Sequence, residues 1–279
     1  MAGLKFALSR ALSFKKSGKA SDNPEPTQTP PQMSYANSRI PVSAQQGVHE
    51  GLAARLACHL REPFRKPYAP WNHEAFEHSL QGWDGRAPLI LDAGCGVGHS
   101  TIELARRFPD HYVIGVDQSE DRLARRKPYP DAMLPRNMVF ARADLVDYWR
   151  LCFDAGLRLA QHYVLYPNPW PKIGHLGRRW HAHPVFPWLL ALGGGLECRT
   201  NWSVYAEEFA WAVSHALGRP AFVQDWQAQT PLTPFERKYR DSGQPLYRIA
   251  VDADAPERSA PLALWASMAQ SALKQGDSR

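Results

Sequence analysis

Short apolar runs alternate with amphipathic runs from residue 88 to residue 252, and this alternation limits the chain to few folds. The apolar runs are bounded by glycine, proline, asparagine or aspartate, which is typical of strands, and the intervening runs have helical spacing. Strands that alternate with helices form a parallel sheet with helices on both faces. We therefore predict an α/β fold with a doubly wound, mostly parallel seven-stranded sheet, whose strands lie in PLILDAG, YVIGVD, NMVFARADL, QHYVLYP, GGGLECRTN, AFVQDW and PLYRIAVD.

The turn after the first of these strands contains three glycines, Gly94, Gly96 and Gly98, in LDAGCGVGHS. Glycine permits backbone angles that other residues avoid, and it lets a ligand lie against the main chain. In an α/β sheet, ligands bind at the carboxyl ends of the strands, where this turn is located. The turn by itself would equally suit a dinucleotide. The sequence therefore predicts a cofactor site here.

Aspartates near the ends of the first three strands narrow down the cofactor. Asp92 precedes the glycines, Asp117 ends the second strand, and Asp144 follows the third. Asp117 is placed to accept hydrogen bonds from ribose hydroxyls, and Asp144 from an adenine amino group. Three acids would repel a pyrophosphate. They favour an uncharged adenosine that carries a cationic sulfonium.

This half of the chain resembles the Rossmann-like class I S-adenosylmethionine-dependent methyltransferases, and three later motifs extend the resemblance. YPNPWPK at 166–172, GGGLECRTNWSVYAEEF at 193–209 and PLTPFERK at 231–238 occur in that order. They resemble motifs of the bacterial tRNA (guanine-N7)-methyltransferases, which are F-P-D-P-W-P-K, P-G-G followed by T-D-W-x-x-Y, and T-K-F-E. The resemblance covers roughly residues 89–251. It implies S-adenosyl-L-methionine as the cofactor and tRNA as the partner.

The same resemblance implies a role for each matching residue. The glycines at 94, 96 and 98 and the aspartates at 92, 117 and 144 would bind the methyl donor. Thr233 and Glu236 would contact its methionine portion or close the pocket. The predicted catalytic residues are Asn168, which would face the guanine, Lys172 and Asn201, and the predicted RNA contacts are Lys172, His175, Arg178 and Arg179.

Two of these positions depart from the family pattern, since Asn168 and Asn201 replace aspartates in F-P-D-P-W and T-D-W. A carboxylate accepts two hydrogen bonds from the N1–H and N2–H2 edge of guanine, whereas an amide offers one acceptor and adds donors. Three interpretations are open: transfer to guanine N7 in the variable loop of tRNA, transfer to another RNA base or a small molecule, and RNA binding without turnover. The retained acids of the donor site favour a working cofactor site.

The ends of the chain differ from its centre. Residues 1–40 are predicted to form a disordered arm, because this basic, Pro-rich segment cannot support a packed core, with a transit peptide as the alternative. We place the methyltransferase domain at 41–252. Its helical part, 41–85, includes an apolar stripe of Leu52, Leu56 and Leu60. Residues 253–279 are expected to form a helical tail.

Charge and composition restrict the partners. The net charge of +6 and a pI near 9.2 favour a polyanion. No apolar run approaches the roughly 18 residues of a membrane helix, so we expect no membrane partner. The four cysteines lack C-x-x-C spacing, and His175, His181 and His183 lack an acid or cysteine at ligand spacing, so we expect no metal. We expect a cytoplasmic protein, with a monomer as the default oligomeric state.

Overall fold

The computed structural model describes residues 40–125, 133–254 and 260–276. Apart from Ile40, the predicted N-terminal arm therefore lies outside the described residues. Two 3-10 helices, Ile173–Arg178 and Trp180–Ala182, lie in the segment between Leu165 and Phe186. The other elements are α1 (Leu52–Arg61), α2 (Pro70–Leu80), β1 (Leu89–Ala93), α3 (His99–Arg107), β2 (Tyr112–Asp117), α4 (Glu120–Ala124), β3 (Met138–Arg142), α5 (Leu145–Asp154), β4 (Leu159–Leu165), α6 (Phe186–Ala191), β5 (Gly195–Thr200), α7 (Ser203–Leu217), β6 (Val223–Asp225), α8 (Pro234–Asp241), β7 (Tyr247–Asp252) and α9 (Pro261–Gly276).

The strands form one sheet in the order β3-β2-β1-β4-β5-β7-β6. β1 to β5 are parallel, while β7 is antiparallel to both of its neighbours. The carboxyl ends of β1 to β6 therefore meet at one edge, together with the beginning of β7. This topology confirms the predicted mostly parallel, seven-stranded Rossmann-like sheet, and it defines the edge at which a ligand would bind.

Successive strand residues point to opposite faces of the sheet, and each face is covered by helices. Ile90 and Val113 pack with Leu104 of α3 in a smaller cluster. Their neighbours Leu91 and Ile114 belong to the large core, to which α1, α2, α5, α6, α7 and α9 contribute. Strands buried on both faces explain the near-continuous apolar runs in the sequence.

The predicted apolar stripe of α1 is buried, since Leu52, Leu56 and Leu60 are each at most 6% exposed. Residues at four-residue spacing lie on the same side of a helix, and this side of α1 faces α7. The stripe therefore belongs to the core. Within the described ranges, no helix has both the length and the apolar composition needed to cross a bilayer.

The C-terminal helix α9 packs into the same core as the sheet-covering helices. Trp265 is fully buried, and its ring meets the ring of Trp188 edge-on with the centroids 4.9 Å apart. The ring centroid of Phe153, in α5, lies 5.7 Å from that of Trp265. The segment after β7, to which the sequence assigned no role, thus contributes a central part of the core.

Replacing Trp265 with alanine should lower the free energy of unfolding by about 3–5 kcal/mol, because neighbouring side chains would only partly fill the cavity left by the indole ring. Leu264→Ala on the same helix is the matched control. Leu264 is 61% exposed, so its loss should change stability by less than about 0.5 kcal/mol. Urea denaturation followed by circular dichroism measures both, and equal effects would show that α9 does not contribute to the core in this way.

Candidate functional site

The glycine turn lies at the carboxyl edge of the sheet, between β1 and α3. Gly94, Gly96 and Gly98 all have left-handed backbone angles, with φ of 81°, 60° and 77°. The N–H of Gly94 donates to the carbonyl of Val116 (2.8 Å), which fixes the turn against β2. A Cβ built on Gly96 would meet nothing within 4 Å, so its backbone is open to a ligand. One built on Gly98 would lie 2.5 Å from the ring of Phe140.

Asp117 is held in a defined orientation at the end of β2. Its Oδ2 accepts from the N–H of Gly96 (3.0 Å), and its Oδ1 accepts from the N–H of Ser119 (2.8 Å). Arg122 approaches Oδ2 at 3.4 Å. A carboxylate has about four acceptor sites, so Asp117 retains capacity for a further donor such as a ribose hydroxyl. The turn and the acid are therefore preorganised together.

Asp92 lies beneath the turn, and only 1% of it is exposed. Its Oδ2 accepts from the hydroxyls of Ser100 (2.6 Å) and Thr101 (2.7 Å), which tie the start of α3 to β1. Burial raises the pKa of this carboxyl to about 6, although the two hydroxyls act in the opposite direction. Asp92 thus supports the turn from below, and a direct contact with a cofactor stays a prediction.

Asp144 caps α5, with its Oδ1 accepting from the N–H of Val146 (2.9 Å). Its own N–H donates to the side chain of Asn72 (2.9 Å), a residue that the sequence analysis did not identify. Asn72 is buried in α2 and also donates to Asp147 (2.6 Å). The N-terminal helices therefore help to place the third acid, which is partly exposed at the sheet edge.

Thr233 caps α8 by accepting from the N–H of Glu236 (2.9 Å). Glu236 itself is fully buried and has four internal donors, which are Tyr166 Oη (3.0 Å), Arg199 Nη1 (2.9 Å), Trp226 Nε1 (2.9 Å) and the N–H of Leu232 (2.6 Å). Three of these donors converge on Oε1, and the N–H of Leu232 donates to Oε2. Glu236 therefore anchors α8 to the ends of β4 and β5, and its role in contacting the cofactor or closing the pocket stays a prediction.

The segment 166–172, named here the Trp-Pro loop, contains two non-glycine residues with left-handed backbones. They are Tyr166 (φ 51°) and Trp170 (φ 46°). Such residues cost roughly 1–2 kcal/mol each and persist only where the surroundings hold them. Arg179 holds the Trp170 carbonyl from Nε (3.3 Å) and Nη2 (3.1 Å), and the Trp170 N–H donates to Asn168 Oδ1 (3.3 Å). The loop that presents Asn168 is thus held in a strained conformation.

Arg179 does not contact RNA in this arrangement, contrary to the prediction, because its side chain is fully buried. Its Nη1 donates to Glu208 (2.6 Å) and to Gln45 (3.0 Å). His181 is also buried and lies 2.8 Å from the same carboxylate. Burial lowers the pKa of His181, so the neutral ring donates from Nε2. This ion pair positions the loop from inside the protein.

Glu208 was not identified from the sequence, yet it links three parts of the chain. Besides Arg179 and His181, it accepts from Gln45 Nε2 (2.6 Å) and from the N–H of His49 (3.0 Å). Ser43 in the same N-terminal segment donates to the carbonyl of Pro171 (2.6 Å). Residues 43–49 therefore lie against the Trp-Pro loop and share its buried carboxylate.

The other predicted RNA contacts lie on the outer side of the loop. Lys172 and Arg178 are exposed, and His175 is partly exposed. The guanidinium of Arg178 lies 4.7 Å from the ring centre of Trp170, and the ring of His175 meets Trp170 edge-on at 5.6 Å. This contact orients the Arg178 guanidinium over the Trp170 ring. The loop therefore presents fixed positive charge to solvent.

The two asparagines of the predicted catalytic set differ in environment. Asn168 is exposed, whereas Asn201 is 6% exposed and donates from Nδ2 to Gln244 Oε1 (2.8 Å). They follow the adjacent strands β4 and β5, so both lie at the ligand-binding edge. A cavity of about 420 Å³, lined in part by Gln244 and Trp226, opens on the β6 side of Asn201. An aspartate at position 201 could not donate to Gln244 in this way.

The second and third glycines of the turn should respond differently to alanine. Gly98→Ala should destabilise the fold by about 2 kcal/mol or more, because its Cβ would overlap Phe140 in a left-handed backbone. Gly96→Ala should destabilise it by only about 1–2 kcal/mol but should weaken S-adenosylhomocysteine binding at least tenfold, because the methyl occupies the open face. Calorimetry measures the affinity for S-adenosylhomocysteine, and thermal denaturation measures the stability of each variant. Unchanged ligand affinity in Gly96→Ala would argue against a cofactor at this turn.

Glu208→Gln should lower the free energy of unfolding by about 3–5 kcal/mol at pH 7, because Arg179 would remain buried without its partner. Burial raises the pKa of Glu208, but hydrogen bonds from His181 and Arg179 outweigh this and lower the pKa to about 2 from 4.5. The stabilisation is therefore present above pH 4.5 and is lost as the pH falls towards 2.

The difference in unfolding free energy between wild type and Glu208→Gln should accordingly narrow by about 2 kcal/mol between pH 5 and pH 3. Urea titrations at each pH measure it. The neighbouring Glu207 is exposed, so Glu207→Gln is the matched control and should remain within about 0.5 kcal/mol of wild type. A pH-independent difference for Glu208→Gln would mean that this carboxylate is not ion-paired in the native state.

Comparison with known sequences places the chain in a family. A family model described as "Putative methyltransferase" matches residues 86–249. A protein named tRNA (guanine-N(7)-)-methyltransferase from Treponema pallidum (strain Nichols) is 31% identical over 170 residues, which cover 58% of this chain and 66% of that protein. A protein of the same name from Pseudomonas savastanoi pv. phaseolicola is 30% identical over 175 residues, which cover 58% of this chain and 70% of that protein.

Two solved structures have a similar arrangement of elements at low sequence identity. The 16S rRNA methyltransferase KamB is 16% identical, with a TM-score of 0.45 over 68% of this chain and 96% of that chain. A structure described as an antibiotic-related methyltransferase is 14% identical, with a TM-score of 0.45 over 67% and 96%.

The matched stretch spans just under two thirds of the Treponema relative's length. The family model, by contrast, covers more than half of this chain and includes the glycine turn, the Trp-Pro loop and α8. The chain therefore belongs to this methyltransferase family, as a divergent relative of proteins named tRNA (guanine-N(7)-)-methyltransferase.

Proposed function

We propose that this protein is an S-adenosyl-L-methionine-dependent methyltransferase that transfers a methyl group to N7 of a guanine in the variable loop of tRNA, in the cytoplasm. The observation that carries the proposal is the juxtaposition of an open glycine turn and a strained, cationic Trp-Pro loop at one sheet edge. The names of the sequence relatives support tRNA as the substrate.

The residues at the glycine turn fit S-adenosyl-L-methionine. The open backbone at Gly96 leaves room for a ligand, and Asp117 retains acceptor sites for ribose hydroxyls. Asp144 is partly exposed at the next strand end, where it could accept from an adenine amino group. When bound, this cofactor supplies an electrophilic methyl group on a sulfonium. The acidic surroundings are compatible with that positive charge.

The acceptor side needs orientation more than proton transfer. Guanine N7 carries a lone pair in the neutral base, so no residue has to act as a general base. Holding the reacting atoms in line can supply about 7–11 kcal/mol of the barrier reduction. The Trp-Pro loop would provide this orientation through Asn168, while Lys172 and Arg178 would bind RNA phosphates. The buried Arg179–Glu208 pair would keep the loop in position.

A second candidate is a methyltransferase of the same fold with a different acceptor. Its support is the presence of two amides, at Asn168 and at Asn201 with its Gln244 partner, where the family pattern has aspartates. Under this alternative the acceptor is another RNA base or a small molecule. RNA binding without turnover is the third outcome that an assay can reveal.

The direct test is incubation of the protein with unmodified tRNA transcript and labelled S-adenosyl-L-methionine, followed by digestion and mass spectrometry of the nucleosides. We expect label in 7-methylguanosine. A Gly96→Ala preparation, in which cofactor binding should be weakened at least tenfold, is the negative control. Label in another nucleoside would support the second candidate, and absence of label despite cofactor binding would support RNA binding without turnover.

Asn168→Asp tests how the acceptor base is recognised. If guanine is the native acceptor, the introduced carboxylate can take two hydrogen bonds from its N1–H and N2–H2 edge where the amide oxygen takes one, and the added charge-assisted bond contributes about 1.5 kcal/mol, or roughly tenfold. We expect kcat/KM for tRNA to rise by up to about tenfold, with S-adenosylhomocysteine affinity unchanged. An unchanged or lower kcat/KM would contradict a guanine edge at position 168, whereas an increase of well over tenfold would indicate adaptation to another acceptor.

A further inference from the structure

Helix α8 presents a large aromatic ring to solvent beside the candidate site. Phe235 is 56% exposed, although it follows Thr233 and precedes the buried Glu236. Its ring stacks with that of Tyr239, one helical turn later, at 6.2 Å between centroids and 25° between planes. Exposing this much apolar surface next to a binding edge is unfavourable unless something covers it in use.

The two rings continue into the Trp-Pro loop. Tyr239 lies 5.5 Å from the ring of Tyr166, whose hydroxyl donates to the buried Glu236 (3.0 Å). Tyr166 begins the loop that carries Asn168 and has a left-handed backbone. Phe235, Tyr239 and Tyr166, named here the aromatic row, therefore lead from solvent to the acceptor loop.

The charges around the aromatic row favour an anionic partner. Arg237 and Lys238 lie on the same helix, and neither forms an ion pair within the described part of the chain. The two acids of α8 are already neutralised, since Glu236 pairs with Arg199 (2.9 Å) and Asp241 with Arg240 (2.8 Å). An exposed ring flanked by unpaired cations is the combination that binds single-stranded nucleic acid.

We propose that Phe235 is a stacking platform for an unpaired base of the RNA substrate, one or two nucleotides from the acceptor. The identity of the substrate as tRNA rests on the proposed function. The stacking mode rests on the aromatic row and the cations beside it. Stacking on an aromatic side chain is tolerant of base identity. The platform therefore contributes affinity and register, and it leaves recognition of the methylated base to the Trp-Pro loop.

The experiment compares Phe235→Leu, Phe235→Trp and Phe222→Leu by fluorescence anisotropy with unmodified tRNA, without cofactor. Leucine keeps apolar bulk but removes the aromatic face, so we expect Phe235→Leu to weaken tRNA binding about tenfold. Tryptophan should retain affinity within about threefold. Phe222 is 68% exposed at the opposite end of β6 from Trp226, so Phe222→Leu should leave affinity unchanged.

The salt dependence of tRNA binding distinguishes the contribution of stacking from that of charge. Phe235→Leu should shift the plot of log Kd against log salt without changing its slope, whereas Lys238→Gln should reduce the slope by about one. Thermal denaturation verifies that each variant is folded. The inference is overturned if wild type does not bind tRNA or if Phe235→Leu binds tRNA as wild type does. It is also overturned if that variant loses S-adenosylhomocysteine affinity but not tRNA affinity, since the ring would then face the cofactor.

Binding and methyl transfer are measured separately, so the two proposals can fail independently. Selective loss of tRNA affinity in Phe235→Leu, with no 7-methylguanosine formed by wild type, would uphold the platform and reject the proposed acceptor. If wild type forms 7-methylguanosine and Phe235→Leu keeps full tRNA affinity, the proposed acceptor is upheld and the stacking platform is rejected.

Discussion

The buried ion pair between Arg179 and Glu208 is the interaction on which the acceptor side of this molecule depends. Both side chains are fully buried, and their N–O distance is 2.6 Å. A charge in the interior is tolerated only when it is paired and hydrogen-bonded. Here the pairing extends to the backbone, since the same guanidinium holds the carbonyl of Trp170. Interior electrostatics thus determine the shape of an outer loop.

A second buried carboxylate, Glu236, has a similar role on the other side of the loop. It links Tyr166 at the end of β4, Arg199 of β5 and Trp226 after β6 to the first turn of α8. The loop is therefore fixed at both ends by internal acids. The cofactor side is organised differently, because there Asp117 and Asp144 bind main-chain N–H groups, and Asp144 remains partly exposed.

The sequence was sufficient to predict the sheet, because the strands are buried on both faces and appear as continuous apolar runs. It also predicted the location of the glycine turn, since β1 contains Asp92 and three glycines follow the strand. The roles of Arg178 and Arg179 could not be distinguished, because adjacent arginines look equivalent until the position of Glu208, 29 residues later, is known. The buried role of Glu236 was hidden for the same reason, as its donors come from strands distant in sequence.

The Arg179–Glu208 pair also constrains how this chain can diverge from its relatives. A change at either position alone would leave an uncompensated charge in the interior and lower the folding stability. Stabilising substitutions elsewhere in the chain would have to offset that loss. The exposed Asn168, by contrast, can vary while its scaffold stays intact. Evolution can therefore alter what the loop recognises far more easily than how the loop is built.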